Sequence, residues 1–145
     1  MQNKIDIVKL RENASIPVKQ SELATGYDLC ACLESPSILI SDAPQLVPTG
    51  IAISIPAGLD VQIRPRSGLT LKGIMAGFGT IDADYRGEIF VTLYCLPSLG
   101  KYEIKQGERI AQLVVSKSEQ FIWNEVLNLD ATKRGQEGHG STGKQ

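Results

Sequence analysis

The densest run of reactive side chains is GTIDADYRGEI, residues 79–89, in which Asp82 and Asp84 alternate and Tyr85, Arg86 and Glu88 follow. One reading is a polar turn, in which ADYRG reverses the chain and its charges are solvated. That reading does not explain why an apolar Ile81 immediately precedes Asp82. A carboxylate at the edge of an apolar strand suits a general base for water, and an aspartate side chain carries its charge at neutral pH without special tuning. A second run, IRPRSGL at 63–69, sets Arg66, Ser67 and the backbone N–H of Gly68 side by side. A guanidinium, a hydroxyl and an unhindered amide together suit a phosphate, whereas a solvated loop is the competing account of the same residues.

Other reactive groups are sparse. The chain has one histidine, His139, near its C-terminal end, so a Ser/His/Asp or Cys/His set is not expected. Cys30, Cys32 and Cys95 lack the further ligands a zinc site needs and read as buried thiols. From Arg134 onward the chain runs RGQEGHGSTGKQ. Gly138, Gly140 and Gly143 satisfy G-x-G-x-x-G, and GHGSTGKQ follows the P-loop pattern until Gln145. Both motifs work through a helix that follows the glycines, which this tail does not supply, so neither a Rossmann nor a Walker site is expected. Glycines that let backbone N–H groups approach a phosphate, with donors from Ser141, Thr142 and Lys144, remain one account; a mobile polar tail is the other.

The elements that must carry these groups are strands. In EIFVTLYCL, residues 88–96, Ile89, Val91, Leu93 and Cys95 share one face and Phe90, Thr92 and Tyr94 the other, as in a strand covered on both sides. Similar runs at 5–10, 46–55, 60–64, 109–115 and 120–127 are separated by PAG, SPS, PSLG and KQGE. This spacing predicts an all-β sandwich or barrel. Only 67–73 predicts more than a turn of helix, with Ser67 as N-cap and Gly73 as its stop. The length of 145 residues predicts one domain over 1–133 with a Gly-rich arm over 134–145. Fifteen Lys and Arg against sixteen Asp and Glu leave no basic footprint for nucleic acid or a membrane surface. No run approaches the roughly 18 apolar residues of a membrane span. The first 20 residues contain no apolar signal-type stretch, which together with the odd cysteine count makes a cytoplasmic protein the expectation.

Taken in order, ATGYDL (24–29), RPRSGL (64–69), GTIDADYRGE (79–88), QGERIAQLV (106–114) and RGQEGHGSTG (134–143) resemble the five motifs of the trimeric deoxyuridine triphosphatase family. The resemblance implies a jelly-roll-like β-barrel that forms a homotrimer, with active sites at the subunit interfaces and the C-terminal arm closing over the nucleotide. The implied reaction is Mg²⁺-dependent hydrolysis of dUTP to dUMP and pyrophosphate, which limits uracil in DNA and supplies dUMP for thymidylate synthesis.

Carried over by position, Asp82 is the base that activates water for attack at the α-phosphorus. Arg66, Ser67, Gly68 and Gln112 hold the triphosphate. Uracil lies along the backbone of Gly79, Thr80 and Ile81, and Tyr85 packs beneath the deoxyribose, leaving no room for a 2′-hydroxyl. Arg134, His139, Gly140, Ser141 and Thr142 belong to the arm. Asp28 supports the metal's outer network or braces the arginines. No residue is expected to ligate Mg²⁺ directly, because that ion keeps its phosphates and waters. Arg86, Arg109, Asp84 and Glu88 read as structural ion-pair partners, and Trp123 as core or inter-subunit packing.

Two positions depart from the family. His139 stands where a phenylalanine commonly stacks on uracil, and Ala76 where many members carry an asparagine that contacts the base. A dCTP deaminase of the same superfamily and a catalytically inactive nucleotide-binding regulator are the alternative functions.

Overall fold

The computed structural model of the chain describes residues 4–140. Its strands are β1 (Asp6–Lys9), β2 (Tyr27–Cys30), β3 (Ser37–Ile40), β4 (Gln45–Pro48), β5 (Ile51–Ser54) and β6 (Leu59–Arg64), then β7 (Ile74–Ala76), β8 (Gly79–Ile81), β9 (Phe90–Cys95), β10 (Tyr102–Lys105) and β11 (Arg109–Lys117). One short helix, α1 (Ser67–Leu71), and a 3₁₀ turn (Pro97–Leu99) complete the regular structure of the described residues. The strands form four sheets, ordered β1-β5, β10-β3, β2-β11-β6-β8 and β4-β9-β7. Every strand pairing is antiparallel and none joins strands consecutive in sequence. Such long-range antiparallel pairing is the signature of a jelly-roll-like architecture.

Alternation builds the core. Val91, Leu93 and Cys95 of β9 are wholly buried, as are Ile40, Val47, Ile51, Val61 and Ile104 from the strands around them. The opposite face of β9 is only partly covered by the described residues, since Phe90 is exposed and Thr92 and Tyr94 are half-buried. The expected strand over 46–55 is two strands, because the chain turns at Thr49-Gly50. Gly50 has φ 71°, and a Cβ there would stand 2.6 Å from Cys32 Sγ and 2.7 Å from the Ala14 methyl. Buried Thr49 donates its hydroxyl to the Ile89 carbonyl at 2.6 Å, tying this turn to the residue that precedes β9.

Cys32 and Cys95 are buried and Cys30 is partly so, with burial pushing the Cys30 thiol up from its usual range. Helix α1 forms where expected, but its N-cap is Arg66 rather than Ser67 and makes no side-chain capping bond. It closes as expected at Gly73, φ 87°, whose N–H donates to the Thr70 carbonyl at 2.9 Å. The expected strand over 120–127 is absent: nothing between 118 and 140 forms a strand or helix. Phe121, Ile122, Trp123 and Leu127 stand in solvent, so Trp123 is not core of its own chain. A strand needs a ladder partner as well as an alternating face, and no strand of the described residues supplies one.

Candidate active site

The chemistry-bearing segments line two separate hollows. The first, about 280 Å³, is bounded by Leu46, Ile63, Gly79 to Asp82, Tyr85 and Glu88 to Phe90. Its floor is β8, the last strand of its sheet, paired with β6 through Val61–Ile81, Gln62–Thr80 and Ile63–Gly79. The other edge of β8 therefore presents backbone donors and acceptors to whatever enters. Ile81 is buried at the end of this strand, which fixes the point at which Asp82 emerges exposed. The Asp82 carboxylate makes no hydrogen bond or ion pair with the described residues, while its carbonyl accepts the Tyr85 N–H at 3.0 Å.

Tyr85 donates its hydroxyl to the Glu88 carbonyl at 2.7 Å. Its ring lies against Gly87, where an added Cβ would approach the phenol oxygen to 2.5 Å. Glu88 is gripped by Arg11, whose Nη1 and Nη2 donate to Oε1 and Oε2 at 3.0 and 2.6 Å, and its Oε2 also accepts the Gly50 N–H at 3.1 Å. The guanidinium of Arg11 holds the Glu88 carboxyl below the usual carboxylate range. Asp84 forms no ion pair among the described residues, contrary to expectation. Arg86 likewise forms none, donating instead to the Ala83 and Tyr85 carbonyls at 2.7 and 3.2 Å.

The second hollow, about 290 Å³, is lined by Gln20, Ala24, Thr25, Gly26, Asp28, Arg66, Ser67, Gly68 and Gln112. Register across the four-stranded sheet sets Gln112 of β11 between Asp28 of β2 and Arg64 of β6. The Gln112 amide donates to the Pro65 carbonyl at 2.9 Å and lies over Gly26, where a Cβ would overlap its Oε1 and stand 2.8 Å from its Cδ. Asp28 is buried between two arginines, with Oδ1 3.3 Å from Arg66 Nε and Oδ2 3.6 Å from Arg109 Nη1. Its Oδ2 accepts no hydrogen bond. A concavity with a guanidinium, a hydroxyl, a carboxamide and the open Gly68 suits a polyanion. One remaining buried acceptor suits a water of a metal's shell.

Arg134, His139 and Gly140 line neither hollow of their own chain. Arg134 Nε donates to the Glu137 carbonyl at 2.7 Å, and His139 is exposed with φ 36°. Ser141 and Thr142 lie outside the described residues. Ala76 is buried in β7 and lines neither hollow, so it does not reach the β8 edge. Sequence reasoning missed the structural role of Gly26, although it stands inside ATGYDL, and missed Arg11 altogether. A third hollow, about 340 Å³, is apolar, with Ile5, Ile7, Ile53, Leu113 and Val115 among its walls. It carries none of the candidate catalytic groups.

Comparison with known proteins matches residues 12–143 to the family described as dUTPase. A deoxyuridine 5'-triphosphate nucleotidohydrolase of Rickettsia rickettsii (strain Sheila Smith) is 48% identical over 143 residues, spanning 94% of this chain and 95% of that protein. The dUTPase of Staphylococcus bacteriophage 80alpha, solved with dUPNHPP, superposes with a TM-score of 0.86 at 26% identity, covering 99% of this chain and 100% of that one. A mutant dUTPase from phage phi11 of S. aureus, described with a structural Mg(II) ion, superposes with a TM-score of 0.77 over 89% of this chain and 100% of that one. At 22% identity it speaks for the fold alone.

Proposed function

The chain belongs to the dUTPase family and is a hydrolase of dUTP, and from that premise we propose how its residues divide the work. The observation that carries the proposal is Asp82, unpaired and exposed at the end of the edge strand β8, beside a tethered Tyr85. Uracil pairs with the free backbone edge of Gly79, Thr80 and Ile81, and the Tyr85 ring supports the deoxyribose. A 2′-hydroxyl there meets carbon with no partner, at a cost of about 1–3 kcal/mol before any clash. Recognition by backbone suits the displacement of Ala76 from this hollow.

Asp82 holds a water and takes its proton as the oxygen attacks the α-phosphorus. The new P–O bond forms as the bond to the β-phosphate bridge breaks, leaving dUMP and pyrophosphate. Arg66, Ser67, Gly68 and Gln112 hold the triphosphate oxygens, with Asp28 fixing Arg66 from behind. Beside Arg66, Ser67, Gly68 and Gln112, a bound Mg²⁺ would supply further neutralisation of the triphosphate charge. The residues fit it as an outer network, since Asp28 Oδ2 is a buried acceptor without a hydrogen bond.

Two concavities on one chain, and described arm residues belonging to neither, support a site assembled between subunits of a homotrimer. Exposed Phe121, Ile122 and Trp123 and the apolar hollow beside β1 are the surfaces such an assembly would cover. The barrel over 1–133 then contributes Asp82, and the arm over 134–145 comes from another subunit to cover the nucleotide with Arg134, His139, Gly140, Ser141 and Thr142. His139 stacks on uracil in place of an aromatic ring. No helix of the described residues is long and apolar enough to cross a membrane.

Pyrophosphate release measured in parallel from dUTP, UTP, dCTP and TTP with Mg²⁺ tests this reading. Turnover of dUTP, with the other three slower by about a hundredfold or more, is the expected result. Comparable dCTP turnover would contradict recognition by the β8 edge. A narrower test is Gly26→Ala. The added methyl displaces Gln112 from the Pro65 carbonyl and from the triphosphate, so kcat/KM for dUTP falls by about tenfold, the worth of one hydrogen bond to a charged group. Unchanged kcat/KM would remove Gln112 from the phosphate site.

A further inference from the structure

Tyr85 sits in an exposed loop, and its phenol has one hydrogen-bond partner among the described residues, the Glu88 carbonyl. The selectivity of such a ring depends on the rigidity of that acceptor. Glu88 is fixed by three bonds from two distant segments: the two terminal guanidinium nitrogens of Arg11, 77 positions away, and the Gly50 N–H. The same segments are themselves tied, since the Leu10 N–H donates to the Gly50 carbonyl at 2.7 Å and the Ile89 N–H to the Ile51 carbonyl at 2.9 Å. Asn13 anchors the Arg11 segment through the Leu33 carbonyl at 2.9 Å. Arg11 itself lines neither hollow.

We infer that Arg11 is a positioning residue for sugar selection: its two-pronged pair with Glu88 fixes the carbonyl that holds the Tyr85 hydroxyl, and so fixes the ring that excludes a 2′-hydroxyl. The inference rests on the reading that Tyr85 supports the deoxyribose. It requires a planar fork rather than a positive charge alone, because two parallel N–H···O bonds fix the orientation of a carboxylate where one ammonium fixes only its distance. Without Arg11 the 88 position keeps its Gly50 bond but gains a rotational freedom that the Tyr85 hydroxyl follows. The ring then yields to a ribose while dUTP still finds Asp82 and the phosphate cradle.

The test is kcat/KM for dUTP and UTP with Mg²⁺ in wild type, Arg11→Met, Arg11→Lys, Tyr85→Phe and the Arg11→Met/Tyr85→Phe double variant. In Arg11→Met the dUTP-to-UTP preference falls by about tenfold while kcat for dUTP stays within about threefold. Arg11→Lys recovers part of the preference. In the Tyr85→Phe background, where the tether is already cut, Arg11→Met lowers the preference no further. A folded Arg11→Met whose preference is unchanged overturns the inference, as does an equal further loss in the double variant. Should Arg11→Met fail to fold, Glu88→Gln weakens the same pair and carries the same two outcomes. A wild type that accepts UTP as readily as dUTP would overturn the reading of Tyr85 itself, and this inference with it.

Discussion

Asp82→Asn lowers kcat for dUTP by about a thousandfold and leaves KM within a few-fold of wild type, in the range expected when a general base is removed. Asparagine keeps the shape of the side chain and can still hydrogen-bond a water, but it cannot take the proton. The substitution should not disturb folding, because the Asp82 carboxylate is exposed and has no hydrogen bond or ion pair with the described residues. Steady-state kinetics checked against the thermal midpoint separate the two effects. The same change at Asp84, which is also exposed and unpaired among the described residues but lies outside the first hollow, leaves kcat nearly unchanged. Retention of more than a tenth of wild-type kcat in Asp82→Asn would assign the base to another group.

Ending the chain after Lys133 lowers kcat/KM for dUTP by about a hundredfold, because a closing arm excludes water and holds the phosphates in line. Nothing in the barrel depends on the removed residues for its core: every member of the buried cluster lies between Ala14 and Leu113. The truncated chain is therefore expected to keep its thermal midpoint. A truncated chain with full activity would return the Gly-rich tail to the mobile, functionless reading that its composition also allows.

How far the sequence carried these conclusions differed by element. Strand β9 was legible because its alternation runs over six residues with wholly buried apolar positions, and β11 because its first seven residues form a long apolar-rich run. The short strands β3, β7, β8 and β10 were not, since three or four residues give too little period to read. The stretch 120–127 misled for the opposite reason. Its apolar residues suggest a strand, but they meet no ladder partner among the described residues and stand exposed.

Asp82, Tyr85, Ser67 and Gln112, which line the two hollows, each stand inside a compact local motif and so could be singled out as candidates. Their separation into two hollows was not found, because it arises from sheet order. Arg11 was invisible for the same reason, since its partner is 77 residues away and neither residue announces the other.

A site shared between subunits is tested most directly by complementation. Asp82→Asn chains and chains ending after Lys133 are each nearly inactive alone. They are co-refolded in equal amounts and assayed for dUTP hydrolysis. If the arm of one subunit closes over Asp82 of another, random mixing leaves about a quarter of the sites with an intact Asp82 and an intact arm, and roughly that fraction of wild-type turnover returns. If each arm serves its own chain, no mixture contains a complete site, and activity that stays at the level of the separate variants would contradict the shared site.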